Sequence, residues 1–407
     1  MSYHLFEVVG IELEYMLVRK QDLRVTPIVD KLLTRKNGGV LTSDVDNGKI
    51  EWSNELVAHV LELKTNGPTV DLESLDELFA ENVREVNALL QDFDAQLLST
   101  AAHPLMDPEK EMQLWQHNYS KIYALYNRIF DCRGHGWSNV QSMHINLPFA
   151  TDAEFEKLHA AVRLLLPIIP GLSASSAIFE GAFSRFKDAR MQVYKTNQKE
   201  IPEMTGKVIP EQVFSRKEYF KTIFEPINKA IKPHDSENIL DHHFLNSRGA
   251  IARFDRGAVE IRVIDLQECP KADLAIAVFI IEALKLLVSE ELVSLEDQKS
   301  WHENDLFEIF DAVIKDAEGT MISNERYLAV FDLEGQATVD AVWKKIYSLV
   351  KMNISKKHQT SIEFLLENGS LSTRILRALG NNFISEEIVK TYRQIGECLA
   401  ENEFFQA

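Results

Sequence analysis

A chain of 407 residues, 45% apolar and 26% charged, has the balance of an ordinary globular protein, which excludes disordered and fibrous classes. Its formal net charge of -18, with no run of Lys and Arg, excludes a nucleic-acid binder that works by neutralising phosphates. Three cysteines, Cys132, Cys269 and Cys398, lack CxxC spacing, so the sequence predicts reduced thiols in a cytoplasmic protein, without a disulfide framework or structural zinc.

The first element is a strand. GIELEYMLV places Glu12 and Glu14 on one face and Ile11, Leu13 and Tyr15 on the other, because strand side chains alternate. No charged segment followed by a long apolar one precedes it, so no secretory leader is expected. A loop and short helix follow, stopped at Gly38-Gly39. Lys49 to Thr65 predicts a second strand region, ending in VAHVLELKT, with Glu62 on its polar front. Glu55 lies seven residues earlier, and an odd separation reaches the same face only through a bend or bulge near Asn54.

Asp71 to Ser99 carries apolar residues at helical spacing and predicts a long amphipathic helix. TAAHPLMDP predicts a short strand ending in a turn, and Glu111 to Phe130 another helix. His135, flanked by glycines, reads as a turn residue. SMHINLP is a third strand, with His144 and Asn146 opposite Met143, Ile145 and Leu147. A helix from Asp152 to about Leu166 is ended by Pro167 and Pro170, and GLSASSAIFEGAFSRFKDAR follows as a loop of the kind that carries binding residues. Adjacent His242 and His243, on an extended segment, would point to opposite sides and share no metal. VEIRVID is the last polar-fronted strand: Glu260 and Arg262 share one face, and Val259, Ile261 and Val263 the other.

Beyond Pro270 six helices are expected, near 272–291, 306–317, 338–352, 359–367, 372–379 and 385–401, with Gly369 and Gly380 as stops. The apolar run from Leu274 to Val288 is broken by Glu282 and Lys285 and falls short of the ~18 to 20 residues of a bilayer span, so no membrane partner is expected. The fold class is therefore α+β: a sheet-bearing part, residues 1–290, and a helical C-terminal region, residues 291–407, that packs the back face of the sheet and supports a homodimer.

One alternating strand is ordinarily a half-solvated surface. Four strands fronted by Glu, His, Asn and Arg instead suit hard cations and phosphates. The phosphate loop GxxxxGK[ST], the GxGxxG turn, HExxH and GxSxG are all absent, so any nucleotide is bound another way, and Mg²⁺ held by carboxylates from several strands is one physical alternative. In order, GIELEYMLV, ELVAHVLELKT, AHP, SMHIN, SASSAIFEG and RGAVEIRVID resemble the motifs of the glutamate-cysteine ligase family 2, carboxylate-amine ligases with a glutamine-synthetase-like fold, over about residues 5–290.

The resemblance implies a curved, mainly antiparallel sheet with helices on its back face, whose concave face holds ATP and two or three Mg²⁺ ions as cofactors, with Glu12, Glu14, Glu62, His144, Glu260 and Glu55 as metal ligands. Arg262 and Arg253 would be catalytic, contacting nucleotide phosphates, beside Glu260. Arg185, Arg190 and Asn146 would bind an amino-acid-like substrate. Phe254 stands where the family has a proline after Arg253, and 187–211 departs from the members that use glutamate and cysteine, which leaves the substrate open. The implied reaction joins a carboxylate to an amine through an acyl phosphate. Two rival readings use the same carboxylates: a metal-dependent hydrolase, and a silent ATP-binding relative.

Overall fold

The strand expected first, β1 (Gly10–Arg19), lies in the middle of the main sheet. Around it lie β2 (Asp44–Asn47), β3 (Ile50–Asn54), β4 (Val60–Thr65), β5 (Ala95–Leu98), β6 (Ser142–Pro148), β9 (Ala250–Arg253) and β10 (Ala258–Asp265) in one open eight-stranded sheet. The pair β7 (Ile178–Phe179) and β8 (Ala182–Phe183) forms a separate small hairpin. This computed structural model describes residues 3–380 and 382–407.

Every pairing in the sheet is antiparallel, and the order is β2-β3-β4-β1-β6-β10-β9. The fifth strand pairs with the C-terminal half of β1, Met16 to Arg19, while β6 pairs with its N-terminal half, Gly10 to Leu13. The two faces follow the alternation of the sequence. Ile11, Leu13, Tyr15, Leu61, Leu63, Ile145, Val259 and Ile261 are fully buried on one side. They share a core with Phe79, Val83 and Val86 of the helix Leu75–Leu90, with Leu158 and Val162 of Asp152–Leu165, and with Leu274 and Phe279 of Pro270–Val288. Removing so many large aliphatic side chains from water is the main force holding helices to the sheet, at about 1.5–3 kcal/mol per side chain.

The C-terminal helices enter the same core through Trp343, Ile346 and Leu365. A second cluster joins Met16, Val18 and Leu98, at one end of the sheet, to Ile375, Ile388, Tyr392, Ile395 and Phe405. Beside it Arg374, fully buried, forms a two-pronged ion pair with Glu268 just past β10. Arg374 also donates to the Phe405 carbonyl at 2.8 Å, and the Phe405 N–H donates to Glu268 at 3.3 Å. Gly369 and Gly380 stop their helices at positive φ, as the sequence predicts. No helix among the described residues is long and apolar enough to cross a membrane.

Three expectations need correction. The helix expected over 71–99 ends at Leu90, and Asp94 at φ 52° turns the chain into β5, whose Leu97 N–H donates to the Asn87 side chain. The stretch TAAHPLMDP is a turn rather than a strand, and the helix expected from Glu111 starts at Ser120. Lys49 to Thr65 is not one bent strand but the hairpin β3–β4, in which Ser53 stands opposite Glu62.

Candidate active site

Register decides which polar side chains meet. Glu12 stands opposite His144 on one neighbour and Lys64 on the other, Glu14 opposite Glu62, and Glu260 opposite Asn146. The four polar fronts thus fall on one face, over a cavity of about 1320 Å³. Close approach at one edge depends on Gly10, where a Cβ would lie 3.2 Å from that of Asn146.

At the centre, His144 Nδ1 is 2.9 Å from Glu12 Oε2 and 3.9 Å from Glu260 Oε1. Ligand atoms of Glu12, His144 and Glu260 lie within 4.8 Å of one another, the spacing of groups able to hold one ion. Asn146 donates to Glu12 at 3.0 Å. Ser142 donates to Glu14 through its backbone N–H at 2.6 Å and its hydroxyl at 2.9 Å, and that hydroxyl is 2.9 Å from His144 Nε2. On β4, Glu62 accepts from Lys64 and from Ser53, both at 2.6 Å. Glu55, in the β3–β4 turn, also lines the cavity. On the other flank Arg253 and Arg262 each approach Glu260 to 3.4 Å, and Arg253 donates to Asp255 at 3.1 Å.

Electrostatics divides the carboxylates. Burial works against the charge of Glu12, but the hydrogen bond to His144 and the nearby cations overcome it and hold its pKa at about 2. Burial and the Glu12 charge push Glu62 up to about 7, despite Lys64. Burial, then the charges of Glu62 and Glu14, raise Glu55 well above the carboxylate range. Burial opposes protonation of His144, yet Glu12 and Glu14 raise its pKa. Five carboxylates, Glu12, Glu14, Glu55, Glu62 and Glu260, are gathered here against three cations, Lys64, Arg253 and Arg262, and a cluster this rich in oxygen donors fits hard divalent cations.

Of the residues expected at the site, Glu12, Glu14, Glu55, Glu62, His144, Asn146, Glu260, Arg253, Arg262 and Arg190 line the cavity, and Arg185 does not. Arg185 is exposed beyond the β7–β8 hairpin. Arg190, 2% exposed, has its guanidinium against Asp265 and the Arg262 carbonyl rather than free in a loop. His242 and His243 begin a short helix, not an extended segment, and their ligand atoms fall within 4.8 Å of each other and of Asp241. His135 opens a short helix, its Nε2 3.2 Å from Glu180, and does not line the cavity.

Sequence reasoning missed Ser142, Ser53 and Lys64 as partners, although Ser142 and Lys64 are each two residues from an identified front-face residue. It also missed Tyr126, Trp137, Tyr194 and Phe244, which wall the cavity from intervening segments without strand periodicity. Tyr126 packs edge-on to Trp137 and Phe244 at 5.6 and 5.4 Å.

The chain matches the model of the glutamate-cysteine ligase family 2 over residues 8–392. It is 32% identical to an uncharacterized protein of Archaeoglobus fulgidus over 98% of this chain and 100% of that one. To a putative glutamate--cysteine ligase 2 of Cronobacter sakazakii it is 23% identical, over 89% of this chain and 93% of that one. Among solved structures it resembles a glutamate-cysteine ligase from Francisella tularensis, in complex with AMP, with TM-score 0.61, 13% identity, and coverage of 98% and 90%. It also resembles a bifunctional glutathione synthetase from Pasteurella multocida, with TM-score 0.60 and 14% identity. The match there covers 97% of this chain, which spans about half of that protein, 52%.

Proposed function

The chain belongs to the glutamate-cysteine ligase family 2, and from that premise we infer that it is an ATP-dependent carboxylate-amine ligase working through an acyl phosphate. The observation that carries the reading is the meeting of five potential metal ligands and two arginines on one sheet face, with Glu55 from the β3–β4 turn, over one cavity. A free carboxylate is a poor electrophile, so one oxygen must first become part of a leaving group.

In the proposed sequence, a substrate carboxylate oxygen attacks the γ-phosphorus of ATP, and the bond to the bridging oxygen breaks to release ADP. The amine nitrogen then attacks the acyl carbon, loses a proton, and expels phosphate. Two or three Mg²⁺ ions held by Glu12, Glu14, Glu55, Glu62, His144 and Glu260 would screen the phosphate charge. Arg262, facing the cavity opposite His144, would share the charge that builds on the transferring phosphoryl group, and Arg253 would contact phosphate beside it. Tyr126, Trp137 and Phe244 line one side of the cavity, an aromatic wall that would limit the access of water to an acyl phosphate.

Incubation with ATP, Mg²⁺, a panel of amino and carboxylic acids and hydroxylamine tests the reading. With the right acid, hydroxamate should accumulate with ADP and phosphate in equal amounts. AMP and pyrophosphate would refute the acyl phosphate, and turnover without nucleotide would favour a hydrolase.

A further inference from the structure

The alternation of VEIRVID breaks where no sequence pattern marks it. Ile261 is opposite Ile145 and Ile264 opposite Met143, so Arg262 and Val263 together face the single residue His144. This is a β-bulge, and it returns Asp265 to the front face, opposite Ser142. The Arg262 N–H is taken by the Gly249 carbonyl at 2.8 Å, but the Gly249 N–H goes to the Val208 carbonyl at 2.7 Å and returns no bond to the Arg262 C=O.

Arg190 fills that vacancy in the hydrogen bonding. Its Nη1 and Nη2 both donate to the Arg262 carbonyl at 3.3 Å, and its Nε donates to Asp265 Oδ1 at 2.5 Å. Asp265 is fully buried, and its other oxygen accepts from the Ser175 N–H at 2.9 Å and the Ser176 hydroxyl at 2.8 Å. The Ser176 hydroxyl in turn accepts from the Arg190 backbone N–H at 3.0 Å. Asp188, which caps the helix Ala189–Tyr194 that carries Arg190, is buried beside the pair. One planar guanidinium thus spans both ends of the bulge, Arg262 and Asp265, a geometry that a lysine ammonium cannot reproduce.

We propose that Arg190 is a positioning residue: by bridging the Arg262 carbonyl and Asp265 it fixes the β10 bulge and so aims the Arg262 guanidinium into the cavity. The phosphate role of Arg262 rests on the ligase reading, whereas the hold on the bulge does not, and the two are tested separately.

Hydrogen exchange followed by mass spectrometry reads the bulge without nucleotide. In Arg190→Lys, exchange in a peptide spanning 258–266 should rise about ten-fold while a peptide from the remote helix Val339–Val350 stays within about two-fold, since local opening draws on local contacts. Asp265→Asn, which leaves Arg190 in place but loosens it, should give the same pattern at smaller size and guards against an Arg190 variant that fails to fold. Unchanged exchange over 258–266 in both variants, or an equal rise everywhere, would overturn the proposal.

A double-mutant cycle reads the coupling to Arg262 through ATP·Mg²⁺ affinity, measured by thermal stabilisation. Arg190→Lys should weaken affinity by about ten-fold with Arg262 present and by less than about two-fold in an Arg262→Ala background, because the aimed group is then gone. Equal weakening in both backgrounds would mean that Arg190 touches the ligand itself and would overturn the positioning role. If the unaltered protein shows no ATP·Mg²⁺ stabilisation, the ligase reading falls, and the exchange result alone decides the hold on the bulge.

Discussion

Replacing Glu62 with glutamine should stabilise the metal-free protein, and more so at pH 8 than at pH 5. The Glu62 carboxyl, buried next to the charge of Glu12, is pushed from 4.5 to about 7. An acid whose pKa is higher in the folded chain costs nothing below 4.5, where it is protonated in both states. Its ionisation costs stability increasingly between 4.5 and 7, and by a constant amount above. The difference, 7 − 4.5 = 2.5 pH units, sets a ceiling of about 3 kcal/mol. The charge-assisted bonds from Lys64 and Ser53 weaken when they meet an amide, so about 1–2 kcal/mol should remain. Urea unfolding of both proteins in EDTA at pH 5, 6, 7 and 8 measures this. The stability difference should move toward the glutamine variant as pH rises, and millimolar Mg²⁺ at pH 8 should return the advantage to the original protein. A difference independent of pH, or one moving the other way, would refute the idea that these carboxylates are held together under strain that cations relieve.

Glu260→Gln should leave the urea midpoint nearly unchanged, because no apolar packing depends on that carboxylate, and should abolish stabilisation by ATP·Mg²⁺; loss of folding would show that its face is assigned wrongly. Arg374→Met should cost about 3–5 kcal/mol, since it leaves Glu268 buried without its partner; a urea midpoint that barely moves would contradict that account.

Most of the candidate site was readable from the chain because charged residues two apart, inside strands whose other face is apolar, specify a buried back and a polar front together. That logic located Glu12, Glu14, Glu62, His144, Asn146, Glu260 and Arg262. It failed where pairing rather than pattern sets geometry. VEIRVID alternates without a flaw, so the bulge at Arg262 and Val263 exists only in its register with β6. Ala95–Leu98 continues an apolar helical run, and only Asp94 in the left-handed region separates it as a strand. Arg185 and Arg190, five residues apart in one loop-like stretch, look equivalent, yet burial beside Asp265 singles out one of them. The aromatic walls reach the cavity from segments remote in sequence, and nothing local announces them.

The clamp of Arg374 and Phe405 on Glu268 bears on how the chain acquires its structure during synthesis. The strand β1 emerges early but occupies the middle of the sheet, and its neighbour β6 follows only after more than a hundred further residues. Glu260 and Arg262 arrive later still, and the end of β10 gains its ionic partner from residues near 374 and 405. Pairing of such distant segments must meet its loop-closure entropy before contacts repay it, so folding is slow for a chain of this size. Until β10 and the helix Pro270–Val288 emerge, a nascent chain has only the helix Leu75–Leu90 and the helix Asp152–Leu165 to lay on the apolar back of the sheet, a state in which aggregation competes with folding and chaperones have time to act.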